Sequence, residues 1–505
     1  MKRFFTLLLL AGAISATQAQ KLEKTALEIP NLKKSYNIDG FGSDANNYYV
    51  CGEALTRKGF TRSYFVVNKN LTTVKEYPIV NEDSRFLRIL TTESDVVILL
   101  ARYKKSEQKT YIIKQTYAKS TGKFKNETVI ASFETEKSDS WAVLRTSVSP
   151  DKTKTAFLFM IANKKSTVDS YYAAVFDEGC NIEWDSENEL GLSNEVFNVQ
   201  NFIVTNKGEL YIAFSSKPEN IKKATDKNLY IDLVFLTDGI KEKMTIPIKK
   251  YQVVEVKLQP LKNGEVYLAA LFAEDNKTYE TEFLSMVLNG NNFNDNKSHT
   301  KEIKETNTHV RVMAGSVIPT KFLYRLGIER VLELDNGNIA VVCEQAINAS
   351  YMVRSGNMVS TAYLKVRGSV TTFFVNGDDA SVEDVSTMEK YQLKRHDLNF
   401  PAKSLHLSIF PFVYGNKVGY IFNDCLKKYT TPEKYKGTSF KNIDGKDVAI
   451  VLSTQASGEK AELKLLSGNV AAGRLFRQIL FEESDKLIVF TQSKKGAYIE
   501  TLSLP

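Results

Sequence analysis

A short polar cluster followed by a run of apolar residues recurs along the chain and is the most regular feature of the sequence. Each cluster contains Asn, Asp, Gly or Ser, which favour tight turns, and each run is rich in the β-branched and aromatic residues that favour strands. The copies are "SDANNYYV" (43–50), "TTESDVVILL" (91–100), "SVSPDKTKTAFLFM" (147–160), "TNKGELYIAF" (205–214), "LKNGEVYLAALF" (261–272), "LDNGNIAVV" (334–342), "YGNKVGYIF" (414–422) and "EESDKLIVF" (482–490).

Most copies are followed by a second strand-like run, such as "SYFVVN" (63–68), "TYIIKQTY" (110–117) and "LYIDLVFL" (229–236). No helical pattern of note lies between the runs. The sequence therefore predicts an all-β protein built from repeated units of several strands each.

Such repeats are typical of a β-propeller, in which neighbouring sheets bury one another and the strands are apolar on both faces. We predict a single propeller with eight blades; a seven-bladed ring and tandem β-sandwiches are the alternatives. The last unit, which begins with the copy at 482–490 and ends with "GAYIETLSLP" (496–505), has room for three strands at most. The segment 26–38 is therefore predicted to supply the missing strand and close the ring.

Residues 1–19 have the layout of a secretory signal peptide. Lys2 and Arg3 precede a mostly apolar core, and Thr17 and Ala19 are the small residues before the cleavage point. The core is too short for a membrane anchor, and later apolar runs are only strand-sized. We expect residues 20–505 to form the propeller after export, in the periplasm, at the outer membrane or outside the cell, with no transmembrane segment.

Charge and cysteine usage exclude several classes of function. The chain has 67 Lys and Arg against 59 Asp and Glu, and the opposite charges are interleaved. Without an Arg-rich stripe, a nucleic-acid partner is not expected. The four cysteines, Cys51, Cys180, Cys343 and Cys425, form no C-x-x-C motif. Cys51 and Cys343 end apolar strand patterns and are predicted to be buried thiols, while disulfide pairing among the four stays open.

The phrase at 147–160 partly matches the aspartate box of sialidases, Ser-x-Asp-x-Gly-x-Thr-Trp. Ser149, Asp151 and Thr155 agree with it, but Thr153 and Ala156 stand where the box needs Gly and Trp. The stretch instead resembles the strand entry of TolB-like propeller repeats. Asp151 is then a turn residue that binds nearby backbone N–H groups.

Trp184 ends the stretch "AVFDEGCNIEW" (174–184), which is similar to the outer hairpin of quinoprotein-type and outer-membrane-assembly propellers. This resemblance predicts packing of Trp184 between two blades. The alternative for Trp184 is a stacking platform for a sugar.

Motifs of known chemistry are otherwise missing. The histidines form no zinc motif, and neither a nucleophile elbow nor a phosphate-binding loop occurs. The Asp- and Asn-rich segments 288–296 and 376–384 could hold calcium but lack EF-hand spacing, so loops are expected there. We predict no cofactor, no metal and no catalytic residue, and an enzyme is the less favoured class.

An ordered set of short sequence motifs between 336 and 425 resembles a family of uncharacterised secreted proteins of Gram-negative bacteria. "NGNIAVVCEQ", "MEKYQL" and "VYGNKVGYIFNDC" follow in the family's order, and the matching positions are Glu344, Lys390, Gln392, Asn423 and Asp424. The sequence departs from the family at Cys425, where Asn is usual, and lacks a Trp before Lys390. The resemblance implies a signal peptide and a propeller-like fold, but no activity. Asn423 and Asp424 are expected to cap a turn.

The favoured function is therefore a secreted or periplasmic binding or interaction protein without catalysis. Its partner would be an envelope protein, a peptide or a glycan. Trp184, Glu344, Gln392, Asn423 and Asp424 are the candidate binding residues, and the long units within 266–487 are the expected partner surface. The alternatives are an envelope-assembly scaffold and a glycoside hydrolase or lyase that works in the central funnel.

Overall fold

The computed structural model describes the strands and most tight turns of the chain. The described residues are 27–28, 36–56, 59–80, 84–134, 144–162, 168–189, 197–216, 230–248, 251–274, 280–288, 296–302, 325–355, 358–388, 390, 392–397, 408–425, 448–465, 475–483, 485–492 and 496–504. The proposed signal peptide, 1–19, lies outside them.

The described residues form thirty-three strands in eight antiparallel sheets, one per blade. Blade 1 consists of β2 (Tyr36–Ser43), β3 (Asn47–Thr56), β4 (Gly59–Asn68) and β5 (Val74–Pro78), and blade 2 of β6 (Arg85–Thr91), β7 (Asp95–Lys104), β8 (Lys109–Ala118) and β9 (Phe124–Glu134). Blade 3 consists of β10 (Arg145–Val148), β11 (Thr155–Ala162), β12 (Val168–Phe176) and β13 (Ile182–Glu189). Blade 4 consists of β14 (Phe197–Val204), β15 (Leu210–Ser216), β16 (Tyr230–Thr237) and β17 (Ile240–Pro247).

Blades 5 to 8 follow the same plan. Blade 5 consists of β18 (Tyr251–Pro260), β19 (Val266–Glu274), β20 (Glu280–Leu288) and β21 (Asn296–Glu302). Blade 6 consists of β22 (Arg325–Glu333), β23 (Ile339–Ser355), β24 (Met358–Val375) and β25 (Val382–Met388), with β26 (Gln392–Asp397) as a fifth strand beside β24. Blade 7 consists of β27 (Ile409–Tyr414), β28 (Lys417–Cys425), β29 (Val448–Gln455) and β30 (Glu462–Leu465), and blade 8 of β31 (Leu475–Glu482), β32 (Lys486–Gln492), β33 (Ala497–Ser503) and β1 (Leu27–Glu28).

The predicted all-β propeller of eight blades is confirmed, and no described residue is helical. Ring closure by the N-terminal segment is also confirmed. In β1, Leu27 lies opposite Ile499 and Glu28 lies opposite Tyr498 of β33. The closing strand is shorter than the predicted segment, because Tyr36–Ser43 already forms the first strand of blade 1.

Within the described part of the chain the core contains eight apolar clusters that each lie between two neighbouring blades. Strand β7 shows how one strand serves two clusters. Val97 and Leu99 pack towards blade 3, whereas Ile98 and Leu100 pack towards blade 1. Successive side chains of a strand point to opposite faces, so a blade with neighbours on both sides needs apolar residues at every position. This accounts for the continuous apolar runs in the sequence.

The first strand of each blade is the innermost, because first strands of consecutive blades approach one another around the axis. Their inner edges have no strand partner, so their backbone groups need other bonds. Polar side chains of the neighbouring blade provide several. Within the described chain, Ser147 Oγ accepts from Val204 N (3.2 Å), Asn201 Oδ1 from Leu258 N (2.9 Å) and Glu255 Oε2 from Ile328 N (2.8 Å), while Arg330 Nη1 donates to Pro411 O (2.8 Å).

The two ends of the ring differ in their connections. Turns between first and second strands are short, and they lie at the end where the first strands finish. Long connections leave from the opposite end, which we call the loop end. They are 135–144, 217–229, 303–324, 389–408 and 426–447. At the loop end β23 and β24 also run past their blade, and β26 pairs with this extension of β24.

Three cysteines, Cys51, Cys180 and Cys343, are buried thiols without a disulfide partner, as expected for Cys51 and Cys343. The described residues contain no helix with the length and apolar character needed to cross a membrane.

The contact between Gly122 and Tyr77 tests the packing of blade 2 against blade 1. Gly122 has a φ of +68°, and a Cβ there would stand 2.0 Å from Cε1 of Tyr77. Gly239 has a φ of +70° but no atom within 4 Å of an added Cβ. We expect Gly239→Ala to cost about 1–2 kcal/mol, the strain of a left-handed residue, and Gly122→Ala to cost clearly more. Denaturant unfolding of both variants measures the difference, and equal losses would contradict the close contact.

Candidate functional site

A buried polar cluster lies at the loop end, where blades 6, 7 and 8 meet near the axis. Its centre is Glu344 on β23, which is fully buried together with Lys390. The Lys390 ammonium donates to Glu344 Oε1 and also to Gln392 Oε1, the latter at 2.8 Å. Burial lowers the pKa of Lys390, and the Glu344 carboxylate opposes that effect. A buried ion pair of this kind is stable only because each partner compensates the other.

Ser408, the residue before β27, completes the bonds of Glu344. Its hydroxyl donates to Glu344 Oε2 at 2.5 Å, and its backbone N–H donates to Gln392 Oε1 at 2.9 Å. Ser408 has a φ of +110°, which a residue with a side chain rarely adopts. The two hydrogen bonds hold this strained conformation, so blade 7 enters the ring at a position set by Glu344 and Gln392.

Gln392 and Asn423 extend the cluster to blade 8. The Gln392 amide donates to Asn423 O at 2.5 Å. The Asn423 side chain binds the backbone of Phe476 on β31 twice, through Nδ2 to Phe476 O and Oδ1 from Phe476 N, both at 2.8 Å. The expectation that Asn423 caps a turn is wrong: it is buried within β28, which continues to Cys425, and its side chain joins two blades. Asp424 is buried on the same strand, and the residues after Cys425, where it was expected to cap a turn, lie outside the described part of the chain.

The predicted candidates therefore separate into one group and one outlier. Glu344, Gln392 and Asn423 belong to one hydrogen-bonded cluster, and Lys390 links them. Asp424 is buried beside Asn423 on the same strand. Trp184 lies apart: it packs against the apolar cluster between blades 3 and 4, and its indole N–H donates to Gly208 O at 3.0 Å. This agrees with the predicted packing role of Trp184.

Glu329 brings a charged group into the channel beside this cluster. It lies at a register shift between Ile328 and Arg330 of the innermost strand β22, and it is exposed. On an innermost strand, an exposed side chain faces the channel. Although part of Glu329 is open to the channel, protein surrounds its carboxyl group closely enough to desolvate it. This desolvation and the charge of Glu344 raise the pKa of Glu329 to about 7, while Arg367 and Lys390 oppose the rise. A carboxyl group with such a pKa in a cleft is typical of functional sites.

Arg367 on β24 is close enough to act electrostatically on Glu329 and lies beside Glu344. Its Nε is 3.4 Å from Glu344 Oε2, and 22% of its side-chain surface is exposed. Among the described residues, no group accepts a hydrogen bond from its Nε or its Nη1, although both atoms are buried. Glu329, Arg367 and Ser408 were not among the sequence candidates, because nothing in the local sequence marks a register shift or a long-range contact.

The opposite side of the ring carries cations on its innermost strands. Arg85 and Arg88 are on β6 and Arg145 is on β10. Burial lowers the pKa of Arg88 to about 10, and the neighbouring charge of Arg145 helps burial to lower the pKa of Arg85. Among the described residues, the innermost strands of blades 2 and 3 therefore carry arginines, whereas those of blades 5 and 6 carry Glu255 and Glu329 together with Lys257 and Arg330.

No group of three or more metal-ligating side chains occurs among the described residues. In the segment 376–384, Asn376 Oδ1 accepts from Asp378 N at 2.8 Å, and Asp379 Oδ1 accepts from Ser381 N at 2.8 Å. These side-chain bonds shape a tight turn between β24 and β25. Of the other calcium candidate, 288–296, residues 289–295 lie outside the described part.

The sequence matches no protein-family model and no curated protein. Solved structures match over most of their length. The Dos1 propeller has 8% identity and a TM-score of 0.41, with 94% of each chain covered. The β-propeller domain of the Trilobed protease from Pyrococcus furiosus has 11% identity and a TM-score of 0.37, covering 86% of this chain and 96% of that one. Polysaccharide lyase Uly1 has 11% identity and a TM-score of 0.39, covering 85% and 92%. At these values the similarities carry no argument about function.

Breaking the Lys390–Glu344 pair should destabilise the protein more than removing both charges. Lys390→Met leaves a buried carboxylate without its cation, which costs about 3–5 kcal/mol. The double variant Lys390→Met/Glu344→Gln needs no counter-charge and keeps an acceptor for Ser408, so it should recover part of the loss. Denaturant unfolding of the single and double variants closes the cycle. A double variant at least as unstable as the sum of the singles would refute the ion pair.

Glu329 should make the stability depend on pH. Its folded pKa of about 7 exceeds the ordinary 4.5, so the folded protein binds more protons between these values. Its contribution is complete below about pH 4.5 and is lost as the pH rises through about 7. Glu329→Gln should flatten this decline, whereas Glu242→Gln, at an exposed site on β17, should not. The test is the free energy of unfolding of both variants, measured between about pH 4.5 and 7. If its dependence on pH in Glu329→Gln is the same as in the unmodified protein, the raised pKa of Glu329 is contradicted.

Proposed function

We propose that the protein is a secreted or periplasmic propeller that binds its ligand at the loop end of the channel, without catalysis. One observation carries the proposal: the buried cluster around Glu344 holds blades 6, 7 and 8 together at the end from which the long connections leave. Binding sites are commonly formed by loops on a rigid scaffold. A buried, hydrogen-bonded support is what a site needs in order to present Glu329 and Arg367 in fixed positions.

The occupancy of the carboxylates favours binding over glycoside chemistry. Glycosidases use two carboxyl groups that flank the scissile bond. Around Glu329, the Glu344 oxygens already accept from Lys390 and Ser408. Glu255 binds Ile328 N and lies 3.2 Å from Lys257. Among the described neighbours of Glu329, neither carboxylate is therefore available as its partner.

A glycoside hydrolase or lyase is the second candidate, and the pKa of Glu329 is the observation that favours it. A carboxyl group with a pKa of about 7 is suited to act as a general acid near neutral pH. An envelope-assembly scaffold stays the third candidate, for which the extension formed by β23, β24 and β26 would be the natural contact surface.

Membership in the family of secreted Gram-negative proteins is part of the same proposal. It rests on the order of motifs between 336 and 425, and four of its five matching positions, Glu344, Lys390, Gln392 and Asn423, form the buried cluster. Export rests on the pattern of residues 1–19. An envelope protein, a peptide or a glycan is the proposed partner.

A thermal-shift screen of residues 20–505 tests the proposal. The probes are neutral and acidic oligosaccharides, peptidoglycan fragments, short peptides and calcium. A ligand present at 100 times its dissociation constant adds about 2.7 kcal/mol of stability, which gives a measurable upward shift. We expect at least one chemical class to raise the melting temperature, and chromatography of that ligand to show no turnover.

Two results would overturn the proposal. Turnover of the ligand, abolished by Glu329→Gln, would establish the enzyme instead. No shift with any class would favour the scaffold, and cross-linking in the cell envelope would then identify its protein partner.

A further inference from the structure

Among the described charges of the loop-end cluster, Arg367 is the least completely compensated. Glu344 and Lys390 have no net charge as a pair, whichever of them holds the shared proton. Glu255 on β18 is paired with Lys257 at 3.2 Å. The described charged groups that act on Glu329 are Glu255, Glu344, Lys390 and Arg367. Among them, Arg367 has no carboxylate, apart from Glu329 itself, that is not already engaged by another group.

The hydrogen bonds of the cluster lead to the same conclusion. Glu344 is nearest to Arg367, but its Oε1 accepts from Lys390 and its Oε2 accepts from Ser408 at 2.5 Å. The Arg367 Nε is farther away, at 3.4 Å, and makes no hydrogen bond, and neither does Nη1. A guanidinium group forms its strongest bonds with planar oxyanions, as two parallel N–H donors to a carboxylate. Because Nε and Nη1 are buried, a ligand reaches the guanidinium group through the exposed 22% of the side-chain surface.

The surroundings keep Arg367 in place. Arg367 lies opposite Ala346 on β23 and opposite Gln392 on β26, so its backbone is paired on both sides. Gln392 is in turn fixed by Lys390, by Ser408 N and by Asn423 O. The paired backbone therefore fixes the point from which the Arg367 side chain starts.

We propose that Arg367 binds a carboxylate group of the ligand at the loop end of the channel, and that Glu329 competes with that carboxylate. The inference rests on the proposed binding function and names the chemistry of its ligand. The carboxylate could belong to an acidic sugar or to the C-terminus of a peptide, and the chemistry at Arg367 is the same for both.

The proposal implies that acid strengthens binding. When Glu329 is ionised it offers Arg367 a partner and repels a second carboxylate. When it is protonated, both effects disappear. Binding should therefore weaken as the pH rises through the pKa of Glu329, and only as long as Glu329 is present.

The test is isothermal titration calorimetry of residues 20–505 with two matched pairs of probes. D-glucuronate is compared with D-glucose, and N-acetyl-dialanine with its C-terminal amide. Each titration is run about 1.5 pH units below and above the pKa of Glu329, where protonation changes nearly completely. We expect a carboxylate probe to bind, and its neutral counterpart not to bind.

Three variants locate the interaction. Arg367→Gln should weaken binding of the carboxylate at least about tenfold, the effect of one lost charge-assisted hydrogen bond. Glu329→Gln, at an exposed position, should strengthen binding at the higher pH and remove the pH dependence. The control Arg102→Gln removes a half-buried arginine that pairs with Glu127 in blade 2, and it should change nothing at this site.

The outcomes separate this inference from the proposed function. Binding by glucuronate alone, or by the peptide alone, supports the inference and identifies the source of the carboxylate. Equal binding of neutral probes, no binding of either carboxylate, or unchanged binding in folded Arg367→Gln overturns it. A lower affinity of Glu329→Gln for the carboxylate probes also overturns the inference. If Arg367→Gln does not fold, the test rests on the result with Glu329→Gln. A ligand from the thermal-shift screen that binds without Arg367 leaves the proposed function intact.

Discussion

The inner edges of the first strands are the constraint on which this propeller depends. A first strand pairs with its own blade on one side only, and its other edge faces the channel. Unpaired N–H and C=O groups are costly wherever water cannot reach them. Side chains of the preceding blade bind them in four consecutive steps, through Ser147, Asn201, Glu255 and Arg330. The ring is thus held by polar bonds at its axis and by apolar clusters between its blades.

The same device explains why charged residues are found deep in the ring. Glu255 and Arg330 serve blade-to-blade contacts, and Asn423 does the same between blades 7 and 8 from the second strand of its blade. A charged side chain on a first strand is therefore not evidence of function by itself. What distinguishes Glu329 and Arg367 is that the described hydrogen bonds do not use them for this purpose.

The repeated turn-and-strand pattern made the propeller fold predictable from the sequence. The candidate site was only partly predictable, because it depends on long-range contacts and on a register shift. Each turn-and-strand phrase reports its own local structure, so eight phrases predicted eight blades, and the short last unit predicted closure by the N-terminus. Glu344, Gln392 and Asn423 were found through a family resemblance, but their partners were not. Ser408 is 64 residues from Glu344, and Asn423 is 53 from Phe476. Contacts at such separations, and the register shift at Glu329, depend on how blades pack rather than on local sequence.

Blade 6 shows how the scaffold and the candidate site are connected. After β25 the chain returns along the extension of β24 as β26 before it enters blade 7. Lys390 and Gln392 lie on this return, and there they supply the cation for Glu344 and the amide for Asn423 O. Without the return, a buried carboxylate and a buried carbonyl would both lose their partners. The extra strand is thus a structural requirement of the cluster, and the position of Arg367 beside it follows from the same pairing.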